Sequence, residues 1–176
     1  MTGFDDRERR FLRHFLAAIA YRTQKALRGA PDDFGAFRAT TGLRTPQEIV
    51  RHMTSVLGYG RTFFTGGRFR PALAPSFERE IARFHEVLAD LSRHIDEAEL
   101  RDTTPTRLLQ GPLADAMTHV GQLAMLRRLA GSPVPPENFI HADVRPENVG
   151  PDQPVPASPD RAWYSAEEEA ELYSRE

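Results

Sequence analysis

Apolar residues recur every three or four positions along most of this chain and nowhere alternate over a sustained stretch, so the pattern predicts helices and no sheet of importance. From Phe4 to Leu27, the residues Phe11, Phe15, Ala18 and Arg22 share one helical line, with Leu12, Leu16 and Ile19 beside it. Gly29-Ala30-Pro31 stops this helix, and the stretch to Arg44 reads as a loop or a short helical turn. The next start signal is the clearest in the chain. Thr45 stands as N-cap, Pro46 takes the first helical position and Glu48 follows three residues after the cap, which is a capping box. Ile49, His52, Val56, Tyr59 and Phe63 then follow at helical spacing until Gly66-Gly67, giving a face that is apolar except for His52 and that points His52 to the bundle interior.

After a connection from Arg70-Pro71 to Pro75, a third helix capped by Ser76 carries Phe77, Ile81, Phe84, Leu88, Leu91 and Ile95, and the polar run from Asp96 to Thr104 ends it. A fourth starts at Gly111-Pro112, after a helical turn over Thr106 to Gln110, and runs to Gly131. Leu113, Ala116, Val120 and Leu123 form its apolar line, and Asp115, His119, Gln122 and Leu126 form an adjacent one. The expected fold is all-α: one antiparallel-packed four-helix bundle over residues 1–131 and a Pro-rich C-terminal extension over 132–176. Prolines at 133, 135, 136, 146, 151, 154, 156 and 159 forbid regular helix in the extension, which either wraps the bundle in extended form or is partly disordered. Phe139, Ile140 and Val144 are its anchors ahead of Trp163 and Tyr164, and the acidic run Glu167 to Glu171 reads as a short surface helix.

Composition narrows the function classes. Hydrophobic residues make up 40% and charged residues 27% of 176, as in one globular domain. No stretch approaches the roughly 18 apolar residues of a membrane span, and the acidic N-terminus lacks the features of a signal peptide, so a cytoplasmic location is expected. Cysteine is absent, which removes disulfides, zinc-thiolate sites and a protein-borne catalytic thiol. The net charge is −2 and the basic residues are spread among acids instead of forming a stripe, which argues against a nucleic-acid partner.

One set of residues points to chemistry. Asp115 and His119 are four apart, so on a helix their side chains stand one above the other and can converge on one ion. His52 would supply a third ligand from a neighbouring helix. Two imidazoles and a carboxylate suit zinc, iron(II), nickel or a similar divalent ion and leave positions for water or substrate. Gln122, one turn beyond His119, is placed to hold a bound water or to orient a ligand. The plainer alternative is that His52 is a hydrogen-bonded core histidine, and that Asp115 and His119 are a surface pair with the acid favoured by the helix dipole. Of the other histidines, His85 and His94 fall beside the core line of the third helix, His14 lies in a basic exposed stretch, and His141 reaches the site only if the tail folds over the bundle mouth. Gly121 reads as a close-packing position, and Met53, Met117 and Met125 as core filler.

The run Asp115-Ala116-Met117-Thr118-His119-Val120-Gly121-Gln122-Leu123 resembles the last-helix signature of the DinB/YfiT-like superfamily, and the helix holding Thr45-Pro46-Gln47-Glu48-Ile49-Val50-Arg51-His52 resembles that family's second helix with its single metal histidine. The likeness covers Phe4 to Gly131. It implies a bundle, often dimeric, that binds zinc, nickel or a related ion, with transfer or isomerisation involving mycothiol, bacillithiol or glutathione where activity is known. Family members usually carry three histidines, and Asp115 replaces one of them here. Carboxylate for imidazole keeps a ligand but adds negative charge.

Two functions follow as expectations. One is a divalent-metal-dependent enzyme, a small-thiol S-transferase, isomerase or hydrolase-like enzyme acting on a small molecule, with His52, Asp115 and His119 on the metal. The other is a non-catalytic, stress-associated binding or assembly protein on the same fold, with or without metal. A homodimer is expected from the resemblance and from Phe63, Phe64 and Phe69 at helix ends.

Overall fold

The computed structural model describes residues 4–157, and Trp163, Tyr164 and the Glu167 to Glu171 run lie outside them. The described residues are helical, with no strand: α1 (Asp6–Leu27), α2 (Pro46–Thr65), α3 (Phe77–Glu97), α4 (Pro105–Leu108) and α5 (Ala114–Leu129), with single 3₁₀ turns at Phe34–Ala36 and Phe139–His141. The Thr45 capping box forms as its sequence dictates, Thr45 accepting from the Glu48 N–H while Glu48 accepts from the Thr45 N–H. A second capping box, Asp5 with Glu8, opens α1. Ser76 caps α3. Between α4 and α5 the backbone widens into a π-helical turn over Leu109–Leu113, which holds Pro112. Proline has no N–H to give to an α-helical ladder, and the wider turn carries the chain through it.

Around the bundle the order is α1, α3, α2, α5, each helix packing on the next and α5 closing on α1. The helix directions follow from side-chain contacts. Arg9 at the start of α1 donates to the carbonyls of Ile95 and Ala98 at the end of α3. Gln47 at the start of α2 donates to Ala74 just ahead of α3, while Arg61 near the end of α2 pairs with Asp90 near the end of α3. Arg127 near the end of α5 donates to Ala26 at the end of α1. So α2 runs parallel to α3 and α5 parallel to α1, whereas a uniformly antiparallel bundle was expected. The connector makes this workable: residues 66–76 reach about 36 Å when extended, against about 30 Å for the 20 residues of α2. Phe69 of that connector lies on α2 where Gly58 has no side chain, and a Cβ at Gly58 would collide with the ring.

The core is formed by Leu12, Leu16 and Ile19 of α1, Val50, Met53 and Leu57 of α2, Phe84, Leu88, Leu91 and Ile95 of α3, Leu113 of the π-helical turn, and Ala116 and Leu123 of α5, all 3% exposed or less. Phe11, which shares a helical line with Phe15 and Ala18, is 64% exposed, and the adjacent line of Leu12, Leu16 and Ile19 faces the core. Phe64 is buried, and Phe63 and Phe69 are partly buried against the core.

Residues 132–157 lie along the bundle. Arg127 sends five hydrogen bonds to Ala26, Arg28, Gly29 and Ser132, tying the end of α1 to the start of this segment. Glu137 accepts from Tyr21 at 2.5 Å and from Lys25 at 2.8 Å. Further on, Nδ1 of His85 bonds the Val149 carbonyl at 2.8 Å, so His85, read from sequence as a boundary residue, is buried under the segment.

Candidate metal centre

The site is set by the register between α2 and α5, which run antiparallel and bring the second turn of α2 against the second turn of α5. His52 projects from the edge of α2 beside the inward line of Val50, Met53 and Leu57. The residue expected to face the interior therefore sits at the groove between helices, its side chain 28% exposed. Asp115 and His119, one turn apart on α5, face it.

His52, Asp115 and His119 form a group able to hold a metal ion: one ligand atom of each lies within 4.8 Å of the other two. Asp115 Oδ1 is 3.3 Å from His119 Nε2, and its Oδ2 is 3.9 Å from His52 Nε2. The two imidazole rings meet edge to face with centroids 4.6 Å apart. Ligand atoms on a tetrahedral ion at about 2.0–2.2 Å stand about 3.3–3.6 Å from one another, so a small contraction of the group would fit it to one ion.

His119 gives the sharpest sign. Its side chain is 9% exposed, and its Nδ1 meets Gln122 Oε1 at 2.8 Å. With Nδ1–H donating to the amide oxygen, the lone pair falls on Nε2. That Nε2 is buried and has no hydrogen-bond partner, for the nearby Asp115 oxygen lies off the direction a bond requires. A buried polar atom without a partner is costly in a folded protein. Gln122 thus does what a residue behind a metal-binding histidine does, fixing tautomer and ring orientation.

Electrostatics favours a neutral His52. Burial in the groove lowers its pKa below the ordinary imidazole value, Arg44, His119 and Arg51 lower it further, and Asp115 opposes them. A neutral ring is the form that ligates. Arg44 was passed over in the sequence, although its place directly ahead of the Thr45 cap puts it at the start of the helix that carries His52. His14 and His141 are exposed, and His85 and His94 make backbone contacts on α3, with Val149 and Asp90 respectively, so none of the four joins the group.

Among the described residues, no helix is long and apolar enough to cross a membrane. Compared with protein-family models, with curated proteins and with solved structures, the chain has no match.

Proposed function

We propose that this protein is a divalent-metal-dependent enzyme in which His52, Asp115 and His119 hold one zinc, nickel or iron(II) ion, and that a small thiol is its cosubstrate in an S-transfer or isomerisation reaction. The observation that carries the metal is the orphaned Nε2 of His119, turned to the point where His52 and Asp115 converge. The thiol reaction rests on the resemblance to the DinB/YfiT-like superfamily. A bound ion there would lower the pKa of a coordinated thiol or water, giving a nucleophile at neutral pH. With no cysteine in the chain, the thiol must come from solution.

The residues divide the work. His119, held by Gln122, is the fixed ligand, and His52 is the adjustable one on the neighbouring helix. Asp115, 47% exposed, brings the negative charge that draws a cation to the groove and leaves an open side to solvent. A non-catalytic binding protein is the second reading. It is favoured by Asp115 already standing within ion-pair distance of both histidines, an arrangement that needs no metal when they are protonated.

Elemental analysis of protein purified without an affinity tag, beside His52→Ala and His119→Ala, decides between them. The first reading expects close to one equivalent of metal in the parent and a small fraction of that in each variant. Equal metal content in all three would overturn it.

A further inference from the structure

A second cavity lies on the opposite side of α5. It is a cleft of about 480 Å³ between the end of α1 and the middle of α5, roofed by residues 134–139 of the extension. Cavities of this size hold small organic ligands. Its walls are mostly apolar, with Met117, Val120 and Ala124 from α5 and Val134 and Pro135 from the roof.

Three features show that its interior is free. Gly121 lines the cleft, and a Cβ added there would meet nothing within 4 Å, so the close packing expected of this glycine does not exist. A glycine in mid-helix costs up to about 1 kcal/mol relative to alanine, and here the space beside it is open. Lys25 is neutralised, its ammonium 2.8 Å from the buried Glu137 carboxylate. Arg22, at the rim, is different. Its guanidinium lies 3.7 Å from the centre of the Phe139 ring and makes no hydrogen bond or ion pair among the described residues. Stacking uses the face of a guanidinium and leaves its in-plane N–H donors available, the geometry that receives a carboxylate through two bonds. Half-burial lowers its pKa, and the Glu137 carboxylate opposes this without forming an ion pair with it.

We propose that this cleft binds a small amphiphilic carboxylate, with the apolar body against Met117, Val120, Ala124 and Val134 and the carboxylate on Arg22. Counting Arg22, Lys25 and Glu137, the cleft carries one uncompensated positive charge, which matches a monoanion. The site is separate from the His52 group, because Met117 and Gly121 face α1 whereas Asp115 and His119 face α2.

Calorimetric titration with octanoate and with 1-octanol, in EDTA so that no metal can bind the carboxylate, tests this. Octanoate should bind the parent protein about tenfold more tightly than octanol, the size of one charge-assisted contact. Arg22→Gln should remove that preference while keeping the octanol affinity. Gly121→Leu should abolish binding of both ligands with an unchanged or higher melting temperature, since the position is helical and unobstructed. His52→Ala should bind octanoate like the parent. Equal affinity for octanoate and octanol, retained preference in Arg22→Gln, undiminished binding in a folded Gly121→Leu, or loss of binding in His52→Ala would each overturn the proposal.

Discussion

Two clusters of ionisable side chains face each other across this molecule's chemistry, and they are built on opposite terms. At the joint between α1 and the extension, the Glu137 side chain is fully buried and its charge is answered by Lys25 at 2.8 Å, the Tyr21 hydroxyl at 2.5 Å and the Ala157 N–H at 3.0 Å. Burial raises the Glu137 pKa, but these donors outweigh it and leave the carboxyl below its usual value, while burial and Glu137 together push the Tyr21 hydroxyl up. In the groove between α2 and α5, by contrast, the carboxylate is half exposed and the buried imidazole nitrogen goes without a bond. A cluster whose donors and acceptors balance is a fastening. One that leaves a ligand-type atom unanswered beside two further ligand-type groups has the arrangement that could hold a metal ion.

Breaking the fastening should give the largest effect. Lys25→Ala leaves the Glu137 charge buried with one partner fewer, a loss of about 3–5 kcal/mol for such pairs, visible in urea unfolding. The double variant Lys25→Met/Glu137→Leu should recover most of that loss. A loss below about 1 kcal/mol in the single variant would mean that the extension detaches at little cost and that the joint is no fastening.

The groove should respond to metal where the joint does not. Zinc at about 100 times its dissociation constant stabilises by about 2.7 kcal/mol, and a shift of about 2–4 °C per kcal/mol is usual at this size, so the melting temperature should rise by roughly 5–10 °C. His119→Ala should erase the shift, and Asp115→Asn should reduce it. In EDTA Asp115→Asn should change stability by less than about 1 kcal/mol, as loss of an exposed pair does. A large loss in EDTA would make the group structural.

These two clusters also differ in how far the sequence disclosed them. Asp115 and His119 are one helical turn apart, so their juxtaposition is local and could be read directly. His52 was found on helical spacing but misplaced: the inward line of α2 is Val50, Met53 and Leu57, and the histidine stands beside it at the groove. The Thr45 box was legible because its signal is contained in four residues, and the Asp5–Glu8 box at the same spacing was overlooked. The joint was out of reach, since Tyr21 and Glu137 are 116 positions apart and no periodicity links them. The parallel pairing of α2 with α3 was likewise hidden, because helical patterns are identical in either direction and only the course of residues 66–76 decides. Gly121 was misread for a related reason: sequence marks a missing side chain but not whether a neighbour fills the space.

Acid should loosen the extension before it reaches the fastening. Burial lowers the His85 pKa, with the Val149 carbonyl and Asp152 opposing, so the native state holds this imidazole neutral more firmly than the unfolded chain does. The unfolded state then binds more protons below about pH 6.5. Stability should therefore be level above that pH and decline as pH falls toward the lowered native value, with amide exchange near Val149 rising first. His85→Gln should flatten the decline. An unchanged profile in that variant would assign the acid sensitivity elsewhere.

The smallest effect concerns the charge around the groove. In metal-free protein His52 should titrate below the ordinary imidazole value, because burial, Arg44, His119 and Arg51 together disfavour its proton more than Asp115 favours it. Removing one positive neighbour reverses part of this, so Arg44→Ala should raise the His52 pKa, read by NMR from the ring carbon-bound protons. Asp115→Asn should lower it, the sign opposite to that at the joint, where a carboxylate is kept charged by donors. Ligation needs the neutral ring, so the pH at which zinc occupancy falls should move up in Arg44→Ala, by a fraction of a unit at this exposure and less at high salt. An Arg44→Ala variant whose His52 titration does not move, or moves down, would show that burial alone sets the protonation of the groove.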